Sequence, residues 1–211
     1  MEPTRTQVEA AQFAARLIVE EGLDYASARQ AAFEELGITG PRGGRSRETL
    51  PNELIEDEVR AHIALFCADT QPAELLELRR CARYWMQRLA EFRPHLGGAV
   101  WRGTATALSD VRIDLFCDDS KAPEIALLGW GVDFDCRSAA LGEDEHALVY
   151  TLHERSRVLR EGITLHLSIF DHDALRGALK PDSRGHSWRG DLAALDRLLA
   201  SSAAAADPAD S

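Results

Sequence analysis

The chain has 211 residues, of which 45% are apolar and 28% are charged, and its formal net charge is −11 at pH 7. This length and composition are typical of one sizeable soluble domain, or of a small domain with an appendage. The acidic balance disfavours a protein that coats nucleic acid non-specifically, because contact with phosphates needs a positive surface.

The sequence has no pattern typical of membrane or secreted proteins. No apolar run approaches the ~20 residues of a membrane span, and Met1–Arg5 lacks the basic start and apolar stretch of a secretory signal. No two cysteines form a CxxC pair, which favours reduced, mostly buried thiols over disulfides or a zinc site. The cysteines are Cys67, Cys81, Cys117 and Cys136. We therefore expect a cytoplasmic protein without a membrane partner.

Two helices are predicted at the start of the chain. Thr6, with Glu9 three residues later, forms a capping-box pattern, and apolar residues then follow helical spacing up to Gly22. A second helix is predicted over residues 24–36, with Gly37 as its stop.

Composition divides the chain into four parts. Residues 40–47 contain three glycines, one proline and three arginines, and they predict a linker over 40–50. The linker separates an N-terminal helical unit, 1–39, from an α+β domain, 51–200. Residues 201–211 are rich in Ala, Ser and Asp and are predicted to be disordered.

Two further helices are predicted after the linker. Pro51 and Pro72 each suit the first turn of a helix. The second of these helices has apolar residues spaced three and four apart, so we expect this seam to pack in the core. The seam consists of Leu75, Leu78, Ala82, Trp85, Leu89 and Phe92.

After Pro94 the patterns become those of strands. Residues 97–101 predict a short strand entered by glycines, and residues 110–115 alternate charged and apolar side chains with the period of a strand. Further strands are predicted over 132–137, 147–153 and 163–170, and helices over 122–128 and 192–199. The predicted fold class is therefore α+β, with a helical N-terminal part followed by a small mixed β-sheet with flanking helices.

The segment from Gly98 to Asp114 carries a chemical pattern. Glycines and small residues precede a strand that has acids at alternate positions, including Asp110 and Asp114. Alternate positions of a strand share one face, where carboxylates can hold the divalent metal that positions a nucleoside triphosphate. Small residues and backbone N–H groups ahead of such a strand can approach phosphate closely.

This segment resembles the signature of the nucleotidyltransferase superfamily, which includes the DNA polymerase beta-like enzymes and the minimal nucleotidyltransferases. The signature is Gly-Ser, two residues, Arg-Gly, five residues, then Ser-Asp-x-Asp. The spacing here matches it without a gap over about twenty residues. The matched positions, in order, are Gly98, Ala99, Arg102, Gly103, Ser109 and Asp110.

The resemblance implies a nucleotidyltransferase-type domain over 51–200 that uses Mg²⁺. Asp110 is then a catalytic metal ligand, and Asp114 is the candidate for a displaced second catalytic ligand. The matched residues Gly98, Ala99, Arg102, Gly103 and Ser109 are expected to bind the nucleotide on its phosphate side.

Two matched positions depart from the signature. Ala99 replaces the serine that contacts phosphate, and Arg112 replaces the second aspartate, within ~7 Å of Asp110 along the strand. The guanidinium of Arg112 can pair with carboxylates on its own face, and it stays protonated at any ordinary pH. Arg112 is therefore expected to modulate metal binding.

The third carboxylate of the family, usually on a later strand, also has no counterpart at the expected place. The strand predicted over 163–170 offers His166 and Ser168 on its polar face. Asp133 and Asp135, on another predicted strand, are an alternative source of the missing acid.

Two functional hypotheses follow. The first is an enzyme that transfers a nucleoside monophosphate from a triphosphate to an acceptor, which could be RNA or protein. The alternative is a catalytically degenerate relative that binds nucleotide, RNA or a protein partner without turnover. The residue that faces Asp110 across the sheet discriminates between them, since a carboxylate favours the enzyme, whereas His166 or Ser168 favours the binding protein.

Overall fold

The structure is a computed structural model that describes residues 3–38, 50–140, 146–179, 181–182 and 184–206. Contacts divide the chain into two compact units. The first comprises Met1–Pro72 with Thr104–Leu108, and the second comprises Ala73–Gly103 with Ser109–Ser211. Most of the linker predicted over 40–50, and the end of the tail beyond residue 206, lie outside the described residues.

The first unit is built from three helices: α1, Arg5–Glu21; α2, Tyr25–Glu35; and α3, Asn52–Phe66. The N-cap of α1 is Thr4, whose side chain forms a capping box with Gln7, so the predicted cap at Thr6 is wrong. Thr4 starts the helix two residues earlier because both partners of the box are present there. Gly22 ends α1 in the left-handed region, with φ of 72°, in agreement with its predicted role.

Small and branched apolar residues form the core of the first unit. The helices bring together Ala10, Ala11, Ala14, Ala15, Leu17, Ile18, Ala28, Ala32, Ile55, Val59 and Ile63. Because the apolar stripe of α3 is buried in this cluster, the compact unit extends past residue 39 to Pro72. The domain limits 1–39 and 51–200 remain a prediction from composition.

The second unit contains a six-stranded mixed sheet. Its strands are β1, His95–Gly97; β2, Val111–Phe116; β3, Asp135–Ala140; β4, His146–Glu154; β5, Ile163–Phe170; and β6, Arg189–Gly190. Their order is β3-β4-β5-β2-β1-β6. The pair β2–β5 is parallel and the other pairs are antiparallel. The predicted α+β class with a small mixed sheet is confirmed.

The helices of the second unit flank this sheet in the chain. They are α4, Gln71–Arg88, which begins two residues before the unit; α5, Gly98–Arg102; α6, Ala122–Gly129; α7, Leu175–Ala178; and α8, Leu192–Ala206. Within the described residues, no helix combines the length and apolar character that a membrane crossing requires.

Three predicted elements differ from the observed ones. Residues 98–102 form α5 rather than a strand, since φ is 65° at Gly98 and 79° at Gly103, values that a strand does not allow. Strand β3 begins at Asp135 instead of residue 132. Helix α8 continues to Ala206, past the predicted end at 199, because alanines favour helix.

The two faces of the sheet have different compositions. One face is apolar and fully buried, with Leu96, Val111, Ile113, Leu115, Leu152, Leu165 and Leu167. Trp85 of α4 is buried as well, and its indole N–H donates to Glu154 at the end of β4. The opposite face, called the polar face below, carries the side chains of Arg112, Asp114, Thr151, His166 and Ser168.

Candidate functional site

Strand register aligns one residue from each strand in a single row across the polar face. The pairs are Arg189–Gly97, Gly97–Arg112, Arg112–His166, His166–Thr151 and Thr151–Asp135. Directly paired residues on neighbouring strands point to the same side of a sheet. These six positions, called the central row below, therefore place one side chain after another along the face.

His166 of β5 contacts Asp110, directly before β2, and Thr151 of β4 through its two ring nitrogens. Its Nε2 lies 3.0 Å from Oδ2 of Asp110, and its Nδ1 lies 3.1 Å from Oγ1 of Thr151. A carboxylate oxygen only accepts, so Nε2 carries the hydrogen in the neutral ring and Nδ1 accepts from the Thr151 hydroxyl. The His166 side chain is 15% exposed and that of Asp110 is 39% exposed, so the contact is partly open to solvent.

Asp114 is paired with Arg189, which crosses strand β1 to reach it. Nε of Arg189 bonds to Oδ2 of Asp114, whose side chain is only 13% exposed. Gly97 of β1 is the partner of Arg189 in the ladder, and a Cβ atom at Gly97 would make ordinary contact with Cγ of Arg189 at 3.6 Å. Burial raises the pKa of Asp114, although the charges of Arg189 and His95 partly oppose this shift.

Arg112 is the exposed member of β2. Its neighbours in the central row are His166 and Gly97, and its side chain also lies beside Gly98, where a Cβ atom would be 3.6 Å from Cδ of Arg112. Within the described part of the chain, no carboxylate forms a salt bridge with its guanidinium. Arg112 therefore places a permanent positive charge on the polar face, beside Asp110 and Asp114.

Helix α5 is bound to α4 through the side chain of Arg79. The buried guanidinium of Arg79 donates from Nε to the carbonyl of Val100 at 3.1 Å, close to the C-terminal end of α5. Burial lowers the pKa of Arg79. Gly103 then ends α5 in the left-handed region, which only glycine adopts without strain. The segment that was predicted to bind phosphate is thus a capped single turn of helix.

Arg102 contacts Asp182 and Trp188, which lie between α7 and β6 in the chain. Its Nη1 lies 3.0 Å from Oδ2 of Asp182, its guanidinium lies 4.7 Å from the ring centre of Trp188, and its side chain is 10% exposed. Burial would raise the pKa of Asp182, but backbone N–H donors of His186 and Arg184 and the Arg102 guanidinium outweigh it, so the pKa is lowered. These contacts favour a structural role for Arg102.

The donors on the polar face do not fit a pair of magnesium ions. Asp110 is bonded to His166, and Asp114 forms an ion pair with Arg189. The positively charged Arg112 lies between the two aspartates in sequence, on the same strand face. A divalent ion at this place would meet Arg112 where the signature has its second carboxylate, and His166 where the family has its third. Among the residues that the structure describes, no group of three or more His, Cys, Asp and Glu side chains is arranged to hold a metal ion.

Of the predicted site residues, the sheet brings four together on one face: Asp110, Arg112, Asp114 and His166. Gly98 and Ala99 open α5 directly after β1, and Ser109, partly buried, directly precedes Asp110. Arg102 and Gly103 take part in the packing and capping of α5. Asp135 belongs to the edge strand β3, which β4 and β5 separate from β2, so it does not complete a carboxylate pair with Asp110.

Sequence reasoning did not identify Thr151, Arg189 or Asp182. Thr151 could have been found from its position in a strand of alternating pattern, had the register of β4 against β5 been known. Arg189 and Asp182 lie in a segment without a periodic pattern, and no local signal links them to Asp114 and Arg102.

Comparisons with known proteins add one partial similarity. No family model matches the chain, and no curated protein matches it significantly. A solved structure described as "Structure of Cid1 in complex with the UTP analog UMPNPP" is similar with 10% sequence identity and a TM-score of 0.32. The alignment covers 54% of this chain and 36% of that chain. A similarity this partial does not by itself establish a common fold.

Proposed function

We propose that this chain is a nucleotidyltransferase-like protein that binds a nucleotide and does not turn over an external acceptor. The ungapped signature match from Gly98 to Asp110 supports the superfamily. The order of elements, with α5 opened by Gly98 and β2 preceded by Asp110, agrees with it. The family usually carries its third carboxylate on a later strand of the sheet, and under this proposal that strand corresponds to β5, which pairs in parallel with β2.

The contact between His166 and Asp110 is the observation that carries this proposal. The strand beside β2 presents an imidazole where the enzyme hypothesis requires a carboxylate. Transfer of a nucleoside monophosphate to an RNA or protein acceptor with Mg²⁺ would need Asp110 and Asp114 to be released from His166 and Arg189. Each release would leave a charged or polar group without its partner, at a cost of about 1–3 kcal/mol.

Arg112 is the residue that we propose to bind the nucleotide phosphates. A guanidinium can form two parallel hydrogen bonds with phosphate oxygens. On the polar face its fixed charge takes the place of the charge that a metal ion supplies in an active enzyme. Binding is therefore expected to persist without divalent metal.

Calorimetry with the 211-residue chain tests this proposal. Wild type should bind a nucleoside triphosphate both with Mg²⁺ and with a chelator, and Arg112→Ala should weaken binding about tenfold to a hundredfold, as expected for charge-assisted hydrogen bonds. Arg157→Ala is the matched control, because Arg157 is another exposed arginine of the same unit. Binding that requires Mg²⁺ and ignores Arg112→Ala would contradict the proposal.

The substitution Arg112→Asp tests the relation to metal-dependent enzymes. It restores the Ser-Asp-x-Asp pattern and changes the charge beside Asp110 by two units, each worth on the order of 2 kcal/mol at ~7 Å and an effective dielectric near 20. We expect Mg²⁺ or Mn²⁺ affinity, measured by calorimetry, to rise in this variant. Unchanged metal affinity would show that Arg112 does not correspond to the second aspartate of the signature.

A further inference from the structure

We infer that Thr151 is a nucleophile that accepts a nucleoside monophosphate from a bound triphosphate, so that the chain modifies itself. This inference rests on the proposed nucleotide binding. It names a specific acceptor, which is a hydroxyl of this chain in place of an RNA or a second protein.

The geometry around Thr151 is that of an activated hydroxyl. Its Oγ1 lies 3.1 Å from Nδ1 of His166, and Nε2 of the same ring lies 3.0 Å from Asp110. A nucleophile, a base within hydrogen-bond distance and a third group that orients the base are the three parts of an activated nucleophile. Asp110 fixes the tautomer in which Nδ1 has a lone pair for the hydroxyl proton, and it stabilises the imidazolium that forms.

The central row also provides a place for the phosphates. Arg112 is paired with His166 on the side opposite to Thr151, so the hydroxyl, the base and the guanidinium follow one another on adjacent strands. Neighbouring strands are ~4.8 Å apart, so the Cα atoms of Thr151 and Arg112 are about 10 Å apart. A triphosphate is long enough to bridge this distance. Both Thr151 and His166 are partly exposed, which leaves the hydroxyl open to a ligand on the polar face.

The proposed step is a displacement at the α-phosphorus. The bond from Oγ1 of Thr151 to the α-phosphorus forms, and the bond from that phosphorus to the oxygen bridging to the β-phosphate breaks. Pyrophosphate leaves with the electron pair of the broken bond. The proton of the hydroxyl moves to Nδ1 of His166. Arg112 stabilises the negative charge on the phosphate oxygens during the transfer. Because the product stays on the chain, each molecule reacts once, which is compatible with the proposed lack of an external acceptor.

Mass spectrometry provides the test. The 211-residue chain is incubated in turn with ATP, GTP, CTP and UTP, each supplied with and without Mg²⁺, and nucleotide affinity is measured in parallel by calorimetry. We expect an added mass of one nucleoside monophosphate that maps to Thr151. The adduct should be absent in Thr151→Ala and retained in Thr151→Ser.

Two further variants separate a chemical from a structural role. Thr164→Ala removes another hydroxyl of the polar face, beside His153, and should leave the adduct unchanged. His166→Gln should slow its formation at least tenfold and remove the dependence of the rate on pH that a titrating base produces. The charged and titratable groups around His166 on the described polar face are Asp110, directly before β2, Arg112 and Asp114 of β2, Asp135 of β3 and His153 of β4.

The outcomes distinguish this inference from the proposed function. Tight nucleotide binding without an adduct, or an adduct on another residue, overturns the role of Thr151 and leaves nucleotide binding intact. If wild type binds no nucleotide under any condition, both proposals fail. If His166→Gln forms the adduct at the wild-type rate, His166 is not the base.

Discussion

Gly103 ends helix α5 with a backbone angle that other residues adopt only with strain. Its φ is 79°, and a Cβ atom there would have ordinary contact with Arg79 at 3.5 Å, so the obstacle is the backbone conformation and not a lack of space. For an L-residue, this left-handed conformation costs about 1–2 kcal/mol.

We therefore expect Gly103→Ala to lower the free energy of unfolding by about 1 kcal/mol and Gly103→Val to lower it more, since a β-branched residue adopts positive φ with greater difficulty. Urea unfolding followed by circular dichroism measures the change. Gly129→Ala in α6 is the control, because φ there is not positive and an added Cβ would meet no atom within 4 Å. Equal losses in the two alanine variants would contradict a special role for the left-handed cap.

The sequence predicted some of the residues of the site but not their partners. Asp110 and His166 were recognisable because each stands in or beside a strand with strict alternation, and parallel neighbours in a sheet can bring such residues together. Arg189 lies 75 positions after Asp114. No periodicity of the intervening chain determines that contact, because it depends on which strand occupies the edge of the sheet. Ion pairs of this kind depend on the order of strands in the sheet, and the local sequence pattern carries no information about that order.

At the level of elements, strand β6 and helix α5 are joined through Trp101. Its indole N–H donates to the carbonyl of Ser187 at 2.9 Å, and its ring covers Gly190 so closely that a Cβ atom there would lie 2.1 Å from the ring. Gly190 is also paired with Leu96 of β1. The two-residue strand β6 is therefore held by one aromatic ring and a short ladder.

Gly190→Ala should destabilise the protein by about 1–3 kcal/mol, because the Trp101 ring must move and its hydrogen bond to Ser187 is lost. Gly97→Ala is the control on the adjacent strand, where the nearest atoms are 3.6 Å from an added Cβ and make ordinary contacts. Thermal unfolding of both variants, followed by tryptophan fluorescence, measures the difference. If Gly190→Ala is as stable as Gly97→Ala, the ring does not pack against Gly190.

Elements in which apolar residues recur with a regular period could be predicted from the sequence, whereas helix α5 could not. The bounds of β5 match the prediction at both ends, because four buried apolar residues alternate with partly exposed ones along the whole strand. Helix α5 has only five residues, and three of them, Gly98, Val100 and Trp101, have lower helix propensity than Ala99 and Arg102. It forms because Arg79 caps it from another helix and Trp101 is bound at Ser187, and both interactions are tertiary.

At the scale of the whole molecule, the buried Tyr150 and the partly buried Cys81 limit stability at alkaline pH. Burial raises the pKa of Tyr150 from 10.0 to about 12, and the nearby Glu124 adds to the shift. Burial likewise raises the pKa of Cys81 from 9.0 to about 12, together with Glu154 and Glu77. Between these values the unfolded chain loses the proton and the folded chain keeps it, so ionisation favours unfolding.

We expect the free energy of unfolding to fall as the pH rises from about 9 to 12, by at most ~1.4 kcal/mol per pH unit for each group. Tyr150→Phe should reduce the slope between pH 10 and 12. Tyr84→Phe is the control, since Tyr84 is half exposed. Denaturant unfolding at a series of pH values gives the slopes, and equal slopes for wild type and Tyr150→Phe would show that Tyr150 does not titrate on unfolding.

The predicted domain boundary can be tested by limited proteolysis. The arginines at 42, 45 and 47 stand among glycines, so trypsin is expected to cut first within residues 40–47. The helix α4 should be cut last, because its apolar seam is buried. A first cut within residues 75–92 would contradict a boundary at 40–50.

The parallel pairing of β2 with β5 has a consequence for the order of folding. A parallel pair cannot be closed by a tight turn, and His166 is 56 residues from Asp110, so their contact closes a long loop. Contacts of this range form slowly and late, after local helices and the β4–β5 hairpin. The bond of His166 to Asp110 thus arises only when β5 has paired with β2, whereas its bond to Thr151 can form with the β4–β5 hairpin. The resonance of this one imidazole would report completed refolding, and a fragment that ends before β5 would contain Asp110 and Thr151 but no chemistry linking them.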